Sequence, residues 1–236
     1  MPPSERPPAA PSFARQVLLI TAKDLTLEWR SREIVYTMVL FSVLVVIIFS
    51  FAFAQEGMPP ASLAGGILWV VVAFAGTLGL SRFFSREQQD DTHRALLMCA
   101  ASPAAIYIGK LAGVMLFMVL TEAVVVPLLV LLFGLEVSSP ALLLVLLLLG
   151  TLGFSAVGCL FAATLAGSRG RDVLLGVLLY PIVTPVIVAG TKGTAALMAG
   201  PEGAAGALIW LQLLAVFDLV FVVLSVWIFG PLTREE

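Results

Sequence analysis

Charge is scarce in this sequence. Asp, Glu, Lys and Arg together make up 12% of its 236 residues, about half the share found in a soluble domain. That shortage excludes a water-soluble globule, which needs a polar surface. Histidine is rarer still. His93 stands alone in a charged segment, where a single imidazole reads as a solvated side chain rather than a metal ligand. The two cysteines, Cys99 and Cys159, fall on opposite sides of a span boundary, so a disulfide framework is not expected. A phosphate-binding loop is also missing. It needs Gly-x4-Gly-Lys-Ser/Thr so that backbone N–H groups can cradle phosphates, and the nearest stretch, Gly190-Thr191-Lys192-Gly193-Thr194, has the wrong spacing. A membrane enzyme would gather His, Asp or Cys at the interface, and only Asp90-Asp91-Thr92-His93 comes near that.

Apolar length is abundant instead. Apolar residues make up 60% of the chain and its mean hydropathy is +1.07, which predicts an all-α membrane protein. A helix needs about 20 apolar residues to cross a bilayer core. Six runs meet that length, near 34–54, 62–81, 106–134, 141–165, 172–190 and 207–229. They are bounded by Glu56-Gly57 with Pro59-Pro60, by a polar segment, by Gly134 to Pro140, by Gly167 to Asp172, and by Thr191 to Gly206. Residues 34–236 thus form one six-span domain with no room for a soluble catalytic domain. Pro-rich residues 1–12 are expected to be disordered.

Residues 13–33 predict a helix whose Ala14, Leu18, Ala22, Leu25 and Trp29 form one apolar stripe, with Arg15, Lys23 and Arg30 off it. An interfacial amphipathic helix fits that pattern, with Trp29 on its apolar side. A plain extension of the first span is the simpler alternative.

Orientation follows from the basic residues. With the N-terminus inside, Arg6, Arg15, Lys23, Arg30, Arg32, Arg82, Arg86, Arg94, Lys110, Arg169, Arg171 and Arg234 share one side, and Lys192 alone is on the other. Both termini and the Arg82–Pro103 segment are therefore expected in the cytoplasm. Within that segment, Ser85 and Gln88 match a capping box, and Asp90 or Asp91 caps a second short helix through Ala95–Met98 that ends at Pro103. Leu96 and Leu97 near its end suit docking into a groove on a soluble protein. The bland alternative is a solvated connection.

Two carboxylates, Glu122 and Asp218, fall inside spans. An ionised group at a span centre costs roughly 2.5–3.5 kcal/mol, so each is expected to keep its proton or to pair with a partner subunit, at a subunit contact or along a substrate path. Gly109 with Gly113, and Thr151, Ser155 and Cys159, supply small faces for helix packing. Pro127 predicts a kink, and Pro181 with Pro185 a break in the fifth span.

These residues in this order resemble the CcmB family, the haem-exporter B permease subunits of bacterial cytochrome c maturation, within the ABC-2 type of transporter. The resemblance is carried by Lys23-Asp24-Leu25 with Glu28, Arg30 and Ser31, by Gly66-Ile67-Leu68-Trp69, and by Arg82 with Phe84. Asp90 with Thr92, Leu96-Leu97, Ser102-Pro103, Lys110, Leu179-Tyr180-Pro181 and Pro185-Val186 continue it. Two positions depart from it: Asp91 stands where the family usually has Gly, and Arg94 where it has an acidic residue.

The resemblance implies an ABC-2 (type V exporter-like) architecture with a cytoplasmic coupling helix between the second and third spans. The residues assigned to that helix are Arg82, Phe84, Arg86, Gln88, Asp90, Asp91, Thr92, Arg94, Leu96 and Leu97. It implies no catalysis by this chain, with ATP bound and hydrolysed by a separate CcmA-like ATPase, and with CcmC-like and CcmD-like membrane partners and a second copy of the chain. It also implies short helices returning to the membrane after the fifth span, around Leu197, Met198 and Pro201. No cofactor is expected on this chain; the sequence lacks Cys-x-x-Cys-His and a Trp-rich external segment, so haem would be handled by the complex. Two further readings remain: an ABC-2 permease for a polysaccharide, lipid or drug, and a stand-alone carrier relaying protons or ions through Glu122 and Asp218.

Overall fold

The computed structural model of the chain describes residues 11–53, 60–89, 102–165, 168, 170–200 and 203–232. Among them are seven helices: α1 Phe13–Ser31, α2 Glu33–Phe53, α3 Pro60–Gln89, α4 Pro103–Phe133, α5 Pro140–Thr164, α6 Arg171–Leu197 and α7 Gly203–Leu232. The six from α2 onward are long and apolar enough to cross a membrane. No strand forms among the described residues; one isolated bridge joins Glu136 to Ala199.

Local chemistry sets the helix ends. Ser102 and Ser139 are N-caps whose hydroxyls accept from the amides of Ala105 and Leu142, each followed by a proline at the first helical position, where the lost N–H has no intrahelical use. Gly134 closes α4 in the left-handed region at φ 60°. Between α1 and α2 the left-handed turn is made by Arg32, φ 54°, a conformation that costs a residue with a Cβ.

Burial ranks the helices. In their most apolar stretches, α3 and α5 are 67% buried, α2 and α7 only 22%. Thus α3 and α5 run through the middle, α2 flanks the side made by α3 and α4, and α7 flanks α5 and α6. Exposed Leu40, Phe51, Leu219 and Val223 face outward from the two flanking helices, as a lipid-facing surface requires.

Two expected breaks are absent. Ser85 does not cap a new helix; it lies inside α3, its hydroxyl donating back to the Ser81 carbonyl at 2.7 Å, and α3 continues to Gln89. A serine bonded to its own preceding turn satisfies itself without ending the helix. Pro181 and Pro185 likewise do not break α6, which is continuous from Arg171 to Leu197. A proline in a span is tolerated where neighbouring helices and hydroxyls support the freed backbone. Beside them the Tyr180 hydroxyl meets Thr77 of α3 at 3.2 Å, holding this stretch of α6 against its neighbour, and Thr184 donates to the Tyr180 carbonyl at 2.8 Å. Pro127 also sits inside an unbroken α4. Since α6 carries on to Leu197 and α7 starts at Gly203, the span-length helices themselves occupy most of the stretch where short returning helices were expected; Pro201 lies outside the described residues.

At the end where α3 begins, packing is backbone-close. The Trp69 indole lies against Gly150 of α5 and Gly190 of α6, either of which would drive a Cβ into the ring, and its N–H donates to Thr194 at 3.0 Å. Ser138 ties the α4–α5 connection to the end of α6 through bonds to the carbonyls of Leu197 and Gly200.

Candidate functional site at the basic end of the bundle

The opposite end gathers the charged residues, and α1 organises them. Its contacts with α4 advance together along both helices. The Gln16 side chain accepts from the Ser102 amide, Thr21 donates to the Gly109 carbonyl, and Asp24 meets Lys110. Hence α1 runs beside the first half of α4, in the same direction. Gly109 makes this possible, since a Cβ there would strike Ile20 at 2.8 Å. The inward face of α1 is Ile20, Asp24 and Glu28, while Leu18 and Trp29 of the expected apolar stripe are 68% and 77% exposed. Leu18 and Trp29 thus share the outward side with Arg15, Thr26 and Arg30, while both acids of the helix turn inward.

The acidic face is fully employed. Asp24 lies between two cations, Lys110 Nζ at 3.1 Å and Lys23 Nζ at 3.1 Å. Both Asp24 and Lys110 are buried, and the Lys110 ammonium also stands 4.9 Å above the Phe83 ring. A pair so placed must be completed by hydrogen bonds and neighbours, or burial would disfavour it. Glu28 serves a different purpose. Its Oε1 accepts the amides of Ile34 and Val35 at 2.8 and 3.0 Å, capping the N-terminus of α2 from across the Arg32 turn. Its other oxygen meets Ser31 at 3.4 Å.

Around α3 the clasp continues. Arg82 bonds Glu33 of α2 at 2.6 Å on the surface. Arg171 of α6 donates to the Ser81 carbonyl at 2.8 Å and to the Ser85 hydroxyl, and Ser81 donates to Asp172 at 2.5 Å. Phe84 is buried. The end of α3 is thus tied to α2 and α6 by ionic and hydroxyl bonds and to α4 through Phe83, which packs edge-on against Phe117 and under Lys110.

Of the residues assigned to coupling, Arg82 and Phe84 belong to this clasp. The backbone of Arg86 and Gln88 lies in α3. Asp90, Asp91, Thr92, Arg94, Leu96 and Leu97, together with His93, fall outside the described residues. In α1, Asp24 and Glu28 turn inward; Leu25 is half-buried against the core and Arg30 is exposed.

The two intramembrane acids differ from each other. Glu122 on α4 is buried and accepts the Thr151 hydroxyl of α5 at 2.5 Å, so the small face of α5 is where this acid is satisfied. Next to it Ser155 meets the Met118 sulfur at 3.2 Å, and Cys159 is buried and free of any disulfide. Asp218 on α7 is also buried, but neither oxygen has a hydrogen-bond partner among the described residues; it abuts Gly153. Among the described residues no group of His, Cys, Asp and Glu is arranged to hold a metal.

Sequence reasoning named Lys110 only as one of the basic residues setting orientation and through the resemblance, and did not single out Glu33, Ser81, Arg171 or Asp172 as linked. A signal was present for Lys110: a lone cation inside an apolar run requires a buried counter-charge.

Compared with known proteins, a family model described as CcmB protein matches residues 15–234. Relatives named heme exporter protein B include those of Pseudomonas aeruginosa, 28% identical over 85% of this chain and 90% of the relative; Paracoccus denitrificans, 31% identical over 78% and 82%; and Haemophilus influenzae, 27% identical over 72% and 77%.

Proposed function

The chain belongs to the CcmB family, and from that premise we propose that it is the membrane subunit of an ATP-driven haem exporter acting in cytochrome c maturation. In this reading it sits in a bacterial inner membrane with both termini and the basic end in the cytoplasm. It receives motion from a CcmA-like ATPase through the segment that follows α3, and it works as a homodimer beside CcmC-like and CcmD-like partners. Relatives named heme exporter protein B support the haem context.

The observation that carries the coupling role is the way α3 ends. It runs unbroken from Pro60 to Gln89 and leads straight into the Asp90–Ala101 segment, while Arg82–Glu33, Ser81–Asp172 and Arg171 bind its last turns to two neighbouring helices. A push on that segment would reach α2, α4 and α6 together. The clasp is made largely of side chains on different helices, so it can be remade in a second arrangement without unfolding any helix.

Deletion of the chain from its host is expected to remove haem-stained periplasmic c-type cytochromes, and normal cytochromes would overturn the haem assignment. Reversing the charges of Asp90 and Asp91 is expected to abolish co-purification with a soluble ATPase. An undiminished complex would remove the coupling role from that segment.

A further inference from the structure

The outer face of the α1–α2 elbow holds an open groove of about 500 Å³ between α1, α2 and α4. Its walls are apolar, made by Leu25, Val35, Leu116, Phe117 and Leu120, and Trp29 and Tyr36 stand at its mouth, 77% and 62% exposed. Its polar lining is asymmetric. Glu28 is turned to the α2 amides and Ser31, whereas Arg32 is exposed and has no carboxylate partner among the described residues. Its guanidinium lies over the Trp29 ring, 5.7 Å from the centroid. The backbone makes Arg32 more telling: at φ 54° glycine would be the undemanding choice, yet a long cation stands there.

We propose that this groove is a binding site for one anionic phospholipid, its acyl chain lying along Leu116, Phe117 and Leu120 and its phosphate on Arg32. The occupant follows from the surroundings. The groove opens sideways from helices of membrane-spanning length, at the level where Arg82 and Glu33 mark the charged boundary of the bundle. Trp29 and Tyr36 are the aromatic types that settle at the junction of head groups and hydrocarbon. A guanidinium offers several donors in a fixed fork that matches a phosphate. Another helix in the groove would be expected to bring a carboxylate to Arg32; a lipid brings the charge in its head group. The second open groove, between α4 and α5, is lined by apolar residues and Glu122 with no cation, so it serves as the internal contrast. The inference is independent of what the complex exports. Bound lipid would hold α1 against α2 and set the angle of the elbow whose inner side carries Asp24 and Glu28.

The test is native mass spectrometry of the full chain released from membranes containing phosphatidylglycerol and phosphatidylcholine. One retained phosphatidylglycerol is expected per chain. Arg32→Gln is expected to lower the preference for it by about fivefold, the factor one cation contributes near an anionic surface. Leu120→Trp, which fills the groove and keeps Arg32, is expected to remove the lipid, and Leu148→Trp in the contrast groove to leave it in place. Equal retention by wild type, Arg32→Gln and Leu120→Trp would overturn the proposal. A photoreactive group at position 36 gives a readout in intact membranes that does not depend on purification. A lipid adduct supports the site, and an adduct to another polypeptide would overturn it by assigning the groove to a protein partner.

Discussion

At the basic end of the bundle the helices are joined by long side chains: Asp24 to Lys110 and Lys23, Glu33 to Arg82, Arg171 to Ser81 and Ser85. At the far end they are joined by close approach: Gly150 and Gly190 against Trp69, Gly65 against the Thr191 carbonyl, Gly203 against Ala196, and Ser138 bonded to two backbone carbonyls. Contacts of the first kind have reach and rotamer freedom, so they survive small displacements and can exchange partners. Contacts of the second kind tolerate almost no displacement, because close-packed atoms lose their attraction or collide within a fraction of an ångström. The far end is set, while the basic end is adjustable around one close approach, that of Gly109 to Ile20.

Substitutions at each end can break that contrast. The largest expected effect is at the buried pair. Lys110→Met should cost about 3 kcal/mol, because it strands the Asp24 carboxylate with only half-exposed Lys23 for company. The double change Asp24→Asn with Lys110→Met should recover most of the loss, read as the unfolding midpoint of the full chain in detergent. A harmless Lys110→Met would mean that the pair holds nothing. Next, Gly190→Ala at the far end should cost about 2 kcal/mol by driving a methyl into the Trp69 ring, with no recovery from any charge change. Ser138→Ala should cost about 1 kcal/mol by removing the side-chain hydroxyl bond to the end of α6, although the Leu197 and Gly200 carbonyls keep the amides of Ser138 and Gly203. The smallest effect belongs to the exposed Glu33–Arg82 pair. Glu33→Gln should cost about 0.5 kcal/mol or less, and raising the salt concentration should erase even that. If salt instead weakened the far end as much as the basic end, the contrast would fail.

Much of this was legible in the chain. The six spans follow from apolar run length, whereas Ser102-Pro103, read from the sequence as the end of a preceding short helix, is the cap and first residue of α4. What could not be read has physical causes. The stripe Ala14, Leu18, Ala22, Leu25 and Trp29 reads as the apolar side of an interfacial helix, but nothing in its spacing shows that Asp24 and Glu28, off that stripe, turn inward to partners on other helices. Ser85 reads as a helix start because a polar run usually follows a break, but its hydroxyl is claimed by Ser81 and by Arg171, 86 residues away in sequence though not in space. Pro181 and Pro185 looked like a break because propensity measured in water charges the full penalty for a lost amide donor. Lys110, a lone cation in an apolar run, signals the need for a counter-charge, but nothing local identifies Asp24, 86 residues away, as the partner.

One consequence follows from the length of α3. Its 30 residues make a rod of about 45 Å, half as long again as a bilayer core is thick. With Trp69 wedged among glycines about a third of the way along and Gln89 at the far tip, the rod has a fulcrum and a long arm. The arm from Trp69 to Gln89 spans about 30 Å at 1.5 Å per residue, so a tilt of about 10° at the fulcrum swings the free tip by about 5 Å.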